Sequence, residues 1–265
     1  CLLSRGLGDV YKRQENILMA SVLAKGETKI SNAAREPEIE DLSKCLIKMG
    51  AKIEGHGTKT ILVQGVTNLK KAEHEIISDR IVAGTYIIAA LMLNSALEIN
   101  NFNTIYLKSL IDILKKMGAK LKVSKNSIKV FKGSKLKSSS LSTSPYPGFP
   151  TDLQAQLMSL MCISDGKSKI KETIFENRFM HVPELNRLGA NITVEKDTAT
   201  IIGNQTFKGA QVMASDLRAS ISLVLAAMNA NGQTTLNRVY HLDRGYENIE
   251  KTLGSLGAKI KRQKN

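Results

Sequence analysis

The sequence predicts an α/β (α+β) fold built from repeated units of about 68 residues, with helices buried and sheets facing solvent. Three observations predict it. A helix-like stretch ending in hydrophobic-Gly-Ala-(Lys/Asn)-hydrophobic occurs four times, as LIKMGAKI at Gly50, LKKMGAKL at Gly118, LNRLGANI at Gly189 and LGSLGAKI at Gly257. A second kind of helix is apolar on nearly every side, which requires burial all round. The short strands do the opposite and mix apolar with polar positions, as half-exposed sheets do.

The four glycines stand 68, 71 and 68 residues apart, a period too long for the common helical solenoids of roughly 20 to 50 residues. The all-apolar helices are opened by aspartates suited to N-capping. They read DRIVAGTYIIAALMLNSALEINN from Asp79, TDLQAQLMSLMCISDGKSKIKET around Asp152 and SDLRASISLVLAAMNANGQTTLNR around Asp216. ENILMASVLAKGETKISNAA from Glu15 is the tail of an earlier copy. The strands include KTILVQGV at Lys59, NSIKVFKG at Asn126 and TATIIGN at Thr198. Each unit therefore runs helix, strand, helix, strand, strand. Residues 1–14 show no period and are set aside as foreign to the pattern, which leads us to expect more protein upstream.

Composition narrows the function classes. Apolar residues are 42% and charged residues 23% of the chain, so it can fold around a core of its own. The three cysteines, Cys1, Cys45 and Cys162, are too few and too scattered for a disulfide framework, and point to a reducing, cytoplasmic setting. The four histidines have no HxxxH or CxxC partner, so no metal is expected. No apolar run approaches the roughly 20 residues that span a bilayer, so no membrane is expected. The net charge of +14 raises nucleic acid as a partner, but aromatics are 5%, tryptophan is absent and the lysines are spread over every unit. A basic stripe interleaved with stacking rings is missing, so no nucleic acid is expected.

Three segments carry more function-like residues than a core requires. In SPYPGFPTDLQAQ, Pro145, Pro147 and Pro150 stiffen a loop that delivers Asp152 to a helix start. As a single residue Asp152 reads as an N-cap, whereas the long rigid approach points to a substrate. In TIFENRFMHVPEL, Glu176, Asn177, Arg178 and His181 occupy a glycine-free strand-to-helix junction, suited either to substrate contacts or to capping. The third pair, SDLRAS with Asp216 and Arg218 and YHLDRGYENIE with Asp243 and Arg244, reads either as local Asp/Arg pairing or as arginine forks for carboxylate and phosphate oxygens.

Together, NAAREPEIEDL, PGFPTDLQAQLMSL, ETIFENRFMHVPEL, GAQVMASDLRAS and YHLDRGYENIE closely resemble the UDP-N-acetylglucosamine 1-carboxyvinyltransferase family of enolpyruvyl transferases, from Glu15 to about Lys261. The likeness to the sister enolpyruvyl-shikimate-phosphate synthases is weaker. The resemblance implies two inside-out α/β barrels, with 15–76 closing one and 77–265 forming most of the other. It implies transfer of the enolpyruvyl group of phosphoenolpyruvate to the 3-hydroxyl of UDP-N-acetylglucosamine, with phosphate released and no cofactor. Asp152 then corresponds to the base that contacts the sugar. Arg178, Arg218 and Arg244 correspond to arginines that hold phosphoenolpyruvate, with Asp216 as their acidic partner. Ile174, Phe175 and Glu176 correspond to the segment against the nucleotide sugar, and Arg35 lies in a further signature of substrate-binding residues. The family's acid, a loop cysteine, belongs to the upstream half. Cys45 and Cys162 fall inside apolar helical stretches and are expected to be inert core thiols. The 265-residue chain is accordingly expected to be inactive alone. A family nucleotide-contacting loop just before Glu15 is replaced here by DVYKRQ. A shikimate-phosphate transferase, a nucleic-acid-binding module and a non-catalytic homologue are the rival readings.

Overall fold

The computed structural model describes residues 10–263 as backbone and residues 13–263 with their side chains. In chain order the elements are α1 (Val10–Ser21), β1 (Glu27–Ser31), α2 (Pro37–Lys48), β2 (Lys52–Glu54), β3 (Thr60–Gln64), α3 (Arg80–Met92), β4 (Leu97–Asn100), α4 (Lys108–Lys116), β5 (Leu121–Val123) and β6 (Ser127–Val130). They continue with β7 (Leu141–Ser142), α5 (Gln154–Ile163), β8 (Lys167–Lys171), α6 (Val182–Arg187), β9 (Asn191–Glu195), β10 (Thr198–Ile202), β11 (Gln211–Met213), α7 (Leu217–Asn229), β12 (Thr235–Asn237) and α8 (Ile249–Ser255). The predicted order of helix, strand, helix, strand, strand is found at α3–β6 and again at α5–β10.

The repeated glycines have one conformation and one task. Gly50, Gly118, Gly189 and Gly257 have φ of 101, 95, 100 and 97°. They follow α2, α4, α6 and α8. In each case the next residue, an alanine, donates its N–H back to a helix carbonyl five residues earlier: Ala51 to Leu46, Ala119 to Leu114, Ala190 to Leu185 and Ala258 to Leu253. This is the Schellman ending, which needs a left-handed residue after the helix. A Cβ at Gly50 would meet nothing within 4 Å, whereas at Gly118 it would lie 2.8 Å from the Lys135 carbonyl oxygen. Gly50→Ala should therefore cost about 1–2 kcal/mol from backbone strain alone, and Gly118→Ala distinctly more, as read by urea denaturation.

The helices divide as the sequence predicts. In α3 nearly every residue from Arg80 to Met92 is buried, in α5 every residue from Gln154 to Cys162, and in α7 every residue from Ala219 to Ala226. α5 packs against both α3 and α7. By contrast α2 and α4 bury one stripe each, Pro37, Ile39, Ser43 and Leu46 in the first and Leu110, Ile111 and Leu114 in the second. The strands form sheets β1-β3-β2, β4-β6-β5, β7-β8-β10-β9 and the parallel pair β11-β12. Their residues alternate in burial, as in β3 and β10, where Ile61, Val63, Ala199 and Ile201 face inward. Buried apolar side chains between Leu18 and Val63 form one cluster, most of those between Ile81 and Ala226 form a separate and larger one, and Ile221 and Val224 join Leu242, Tyr246, Ile249 and Leu253 in a third.

The structure bears on two readings and corrects the second. α1 begins at Val10, so the helix extends into the segment set aside as patternless. Gln14 is 4% exposed, and its side chain accepts from the Ala34 N–H at 2.5 Å and donates to the Ala34 carbonyl at 3.4 Å. Residues 1–9 of that segment lie outside the described residues. Cys45 is half-buried on α2 rather than a core residue, because the buried stripe of that helix runs through Ser43 and Leu46 on either side of it.

Candidate active site

Asp79 and Asp216 are the helix caps the sequence predicts. The Asp79 carboxylate accepts from the backbone N–H groups of Ile81 and Val82, and that of Asp216 from those of Arg218 and Ala219. Asp152 is different. It sits inside a 3-10 turn, Thr151–Leu153, ahead of α5, and the cap position of α5 is Leu153 rather than Asp152. Its two oxygens instead accept from two guanidinium groups. Oδ1 lies 2.6 Å from Arg178 Nη2, and Oδ2 lies 2.8 Å from Arg218 Nη2. The three side chains are 10, 14 and 16% exposed. The cap reading of Asp152 fails because its carboxylate already serves two charged donors brought in from other elements.

The turn is held from several sides. Gly84 on α3 lets it approach, since a Cβ there would lie 2.8 Å from Leu153 Cδ1. Gln156 donates to the Asp152 carbonyl at 3.0 Å and to the Thr85 hydroxyl at 3.2 Å, and Tyr246 meets that hydroxyl at 2.8 Å. Burial pushes the Tyr246 phenol above its usual range. The preceding loop is clamped by the chain's first part. Arg35 donates to the Tyr146 carbonyl at 3.1 Å, and Arg80, paired with Glu38 at 2.9 Å, lies 5.7 Å from the Tyr146 ring centre. Arg35 is thus engaged with the approach loop, because that loop is the partner within its reach.

Arg178 also lies 4.9 Å from the Phe175 ring centre, a cation–π distance. Ile174 and Phe175 are half-buried, while Glu176 is exposed. This segment lines a groove of about 840 Å³ together with Val194, Lys196 and Asp197. Arg178 links the groove to Asp152, whereas Asp152 and Arg218 themselves lie outside its lining.

Local Asp/Arg pairing does not occur as read. Arg218 pairs with Asp152 rather than with its neighbour Asp216, and Asp243 pairs with Arg262 at 2.5 Å. Arg244 joins no other side chain by a hydrogen bond or ion pair among the described residues. It is exposed at the end of the 3-10 turn Val239–Arg244, whose buried residue is Leu242. Arg244 is therefore not brought to Asp152 in this arrangement.

Two further residues lie near the site, His181, which the sequence offers for substrate contact or capping and whose side chain makes no cap bond, and Glu172, to which the sequence reading gave no role. His181 opens α6, is 2% exposed, and its Nε2 has no partner among the described residues. Glu172, 5% exposed, accepts hydrogen bonds from both sides of the site. The alternation of β8 could have found it, since Ser168 and Ile170 point inward and residue 172 continues the period. Cys162 is fully buried, and burial pushes its thiol up to about 12, as expected of an inert core cysteine. No cluster of His, Cys, Asp or Glu among the described residues is arranged to hold a metal, and no helix among them is long and apolar enough to cross a membrane.

The sequence profile of the EPSP synthase (3-phosphoshikimate 1-carboxyvinyltransferase) family matches residues 12–253. The chain belongs to this family. Within the EPSP synthase family it is similar to the UDP-N-acetylglucosamine 1-carboxyvinyltransferase of Pelagibacter ubique, 52% identical over 248 residues, covering 94% of this chain and 60% of the relative. It is 54% identical over 246 residues to the enzyme of the same name from Azorhizobium caulinodans, covering 92% of this chain and 57% of that one. The chain thus spans less than two thirds of the length of these relatives. The crystal structure of the enolpyruvyl transferase NikO from Streptomyces tendae matches with a TM-score of 0.85 at 28% identity, over 92% of this chain and 58% of that one. EPSP synthase from Acinetobacter baumannii matches with a TM-score of 0.73 over 95% of this chain and 61% of its own length, and at 19% identity this is a likeness of fold alone.

Proposed function

We propose that this chain is part of an enzyme that transfers the enolpyruvyl group of phosphoenolpyruvate to the 3-hydroxyl of UDP-N-acetylglucosamine and releases phosphate, the first committed step of peptidoglycan synthesis. The observation that carries this reading is the Asp152 carboxylate held between Arg178 and Arg218 at 2.6 and 2.8 Å, in a chain 52% identical to a transferase of that name.

The chemistry requires a base near the attacking hydroxyl and cations for the phosphate and carboxylate of phosphoenolpyruvate. Asp152 is the base. The two guanidinium groups beside it hold its carboxylate in place until substrate arrives. Phosphoenolpyruvate then draws on the same guanidinium groups, because Arg178 and Arg218 offer planar forks suited to its oxygens. As the arginines turn to the incoming anion, Asp152 is freed toward the sugar hydroxyl. Arg244, exposed here, joins them when substrate closes the site. Asp216 orients the start of α7, and with it Arg218. Ile174, Phe175 and Glu176 lie along the groove that takes the nucleotide sugar. Arg35 supports the approach loop of Asp152. The arginines neutralise the substrate's charge, so neither a metal nor another cofactor enters this scheme.

The finer architecture belongs to the same proposal. Residues 77–265 form an inside-out α/β barrel of units of about 68 residues. Residues 15–76 close a second barrel completed by upstream sequence that supplies the general acid. The enzyme works in the cytoplasm, where both substrates are available. Phosphate release tests the reading directly. At the full length of its relatives the protein should consume phosphoenolpyruvate with UDP-N-acetylglucosamine and not with shikimate 3-phosphate. The 265-residue chain alone should release none. Turnover with the shikimate acceptor, or by the short chain, would overturn the assignment.

A further inference from the structure

We propose that Glu172 is a positioning residue that ties the Asp152 turn to the segment 174–178, so that the carboxylate and the groove keep a common register. This rests on the enolpyruvyl-transfer reading only for its kinetic consequence; the tie itself stands on geometry.

Glu172 continues the inward face of β8 and is 5% exposed. Its two oxygens divide their work. Oε1 accepts from the Thr143 hydroxyl at 2.8 Å, the Ile174 N–H at 2.9 Å and the Phe175 N–H at 3.1 Å. Oε2 accepts from the Thr151 hydroxyl at 2.9 Å. One oxygen therefore holds the start of the 174–178 segment, and the other holds the residue next to Asp152. Thr143 completes the frame, accepting from the Thr173 N–H at 2.9 Å, while the Thr173 hydroxyl donates to the Thr143 carbonyl at 2.6 Å.

A buried carboxylate is costly unless its lone pairs are filled. Four donors fill those of Glu172, none of them a cation among the described residues. A side chain whose only task was to finish β8 would need one or two. These four come from three separate places, the β7 region, the Asp152 turn and the backbone that leads to Arg178. Because Arg178 bonds to Asp152 at 2.6 Å, the chain from Glu172 through 174–178 and back through Asp152 and Thr151 closes a loop. Such a loop restricts both the carboxylate and its arginine, which is how positioning groups reduce the cost of reaching a reactive geometry.

The test separates the tie from the reaction. In the 265-residue protein, Glu172→Ala should speed hydrogen exchange of the Ile174 and Phe175 amides roughly tenfold or more, since both lose a charged acceptor. Glu172→Gln should restore protection, because its carbonyl still accepts from these amides and its amide can donate to the Thr151 oxygen. Thr151→Val removes only the bond to Oε2 and should leave the two amides protected. At full length, Thr151→Val should lower kcat roughly tenfold with KM for the nucleotide sugar unchanged, while Glu172→Ala should lower kcat and raise that KM together. Wild-type exchange at Ile174 and Phe175 in Glu172→Ala would overturn the tie. So would full kcat in Thr151→Val. A wild-type protein that protects these amides yet transfers no enolpyruvyl group would instead sink the functional reading and leave the tie intact.

Discussion

Asp152→Ala should be the most damaging single change in this chain, for stability and for activity together. In the folded 265-residue protein it removes a carboxylate shared by two guanidinium groups at 2.6 and 2.8 Å, with all three side chains at most 16% exposed. Breaking a buried pair by deleting one partner leaves the other charge in a poor dielectric environment, and typically costs about 3–5 kcal/mol. The same change should abolish enolpyruvyl transfer at full length, because a lost general base with its orientation costs roughly 10²–10⁴ in rate. Asp152→Asn distinguishes the two effects. It keeps the volume and one acceptor oxygen, so its stability should lie between wild type and Ala, yet its turnover should fall as far as that of Ala. Inorganic phosphate supplies a further check. An anion can replace the missing carboxylate, so phosphate should raise the denaturation midpoint of Asp152→Ala more than that of wild type. Equal midpoints for wild type and Ala in urea, with no differential effect of phosphate, would show that the arginines do not depend on Asp152.

That expectation rests on contacts that sequence reading could reach only in part. The ends of α2, α4, α6 and α8 were legible because a Schellman ending is local. It needs one left-handed residue, glycine supplies it, and the following alanine closes the bond. The caps at Asp79 and Asp216 were legible for the same reason. Asp152 looks identical in type and in context, preceding an apolar helix, and only its partners distinguish it. Those partners lie 26 and 66 residues away in sequence, and no local rule pairs them. Glu172 was obscured by composition. In the lysine-rich run KSKIKE a glutamate reads as one more solvated charge, although its place in the alternation puts it inward. Arg244 shows the reverse. Its segment looks like a binding motif, yet folding leaves it exposed in this arrangement, while the neighbouring Asp243 pairs with Arg262. The short strands β7 and β11 had no signal of their own, because they exist only through parallel pairing with β8 and β12.

His181 should make the fold acid-sensitive in a defined window. Burial pushes its imidazole from the ordinary 6.5 down to about 4. The nearby Asp216 opposes the shift, Arg178 adds to it, and a hydrogen bond with the Arg178 backbone acts against it. The neutral ring is therefore the folded form. Between the two values the unfolded chain binds a proton that the folded chain does not, so stability is complete above about pH 6.5 and falls as pH drops toward 4. At 1.36 kcal/mol per unit, the full loss is about 3 kcal/mol. His181→Asn isolates this contribution, because its amide can replace the ring in the hydrogen bond to the Arg178 backbone and it does not titrate. The stability of wild type relative to His181→Asn should thus decline by about 2 kcal/mol between about pH 7.5 and about pH 5, measured by urea denaturation at each pH. A constant difference across that range would mean that the folded protein accepts the proton as readily as the unfolded one, and that the orphaned Nε2 finds a partner when it is charged.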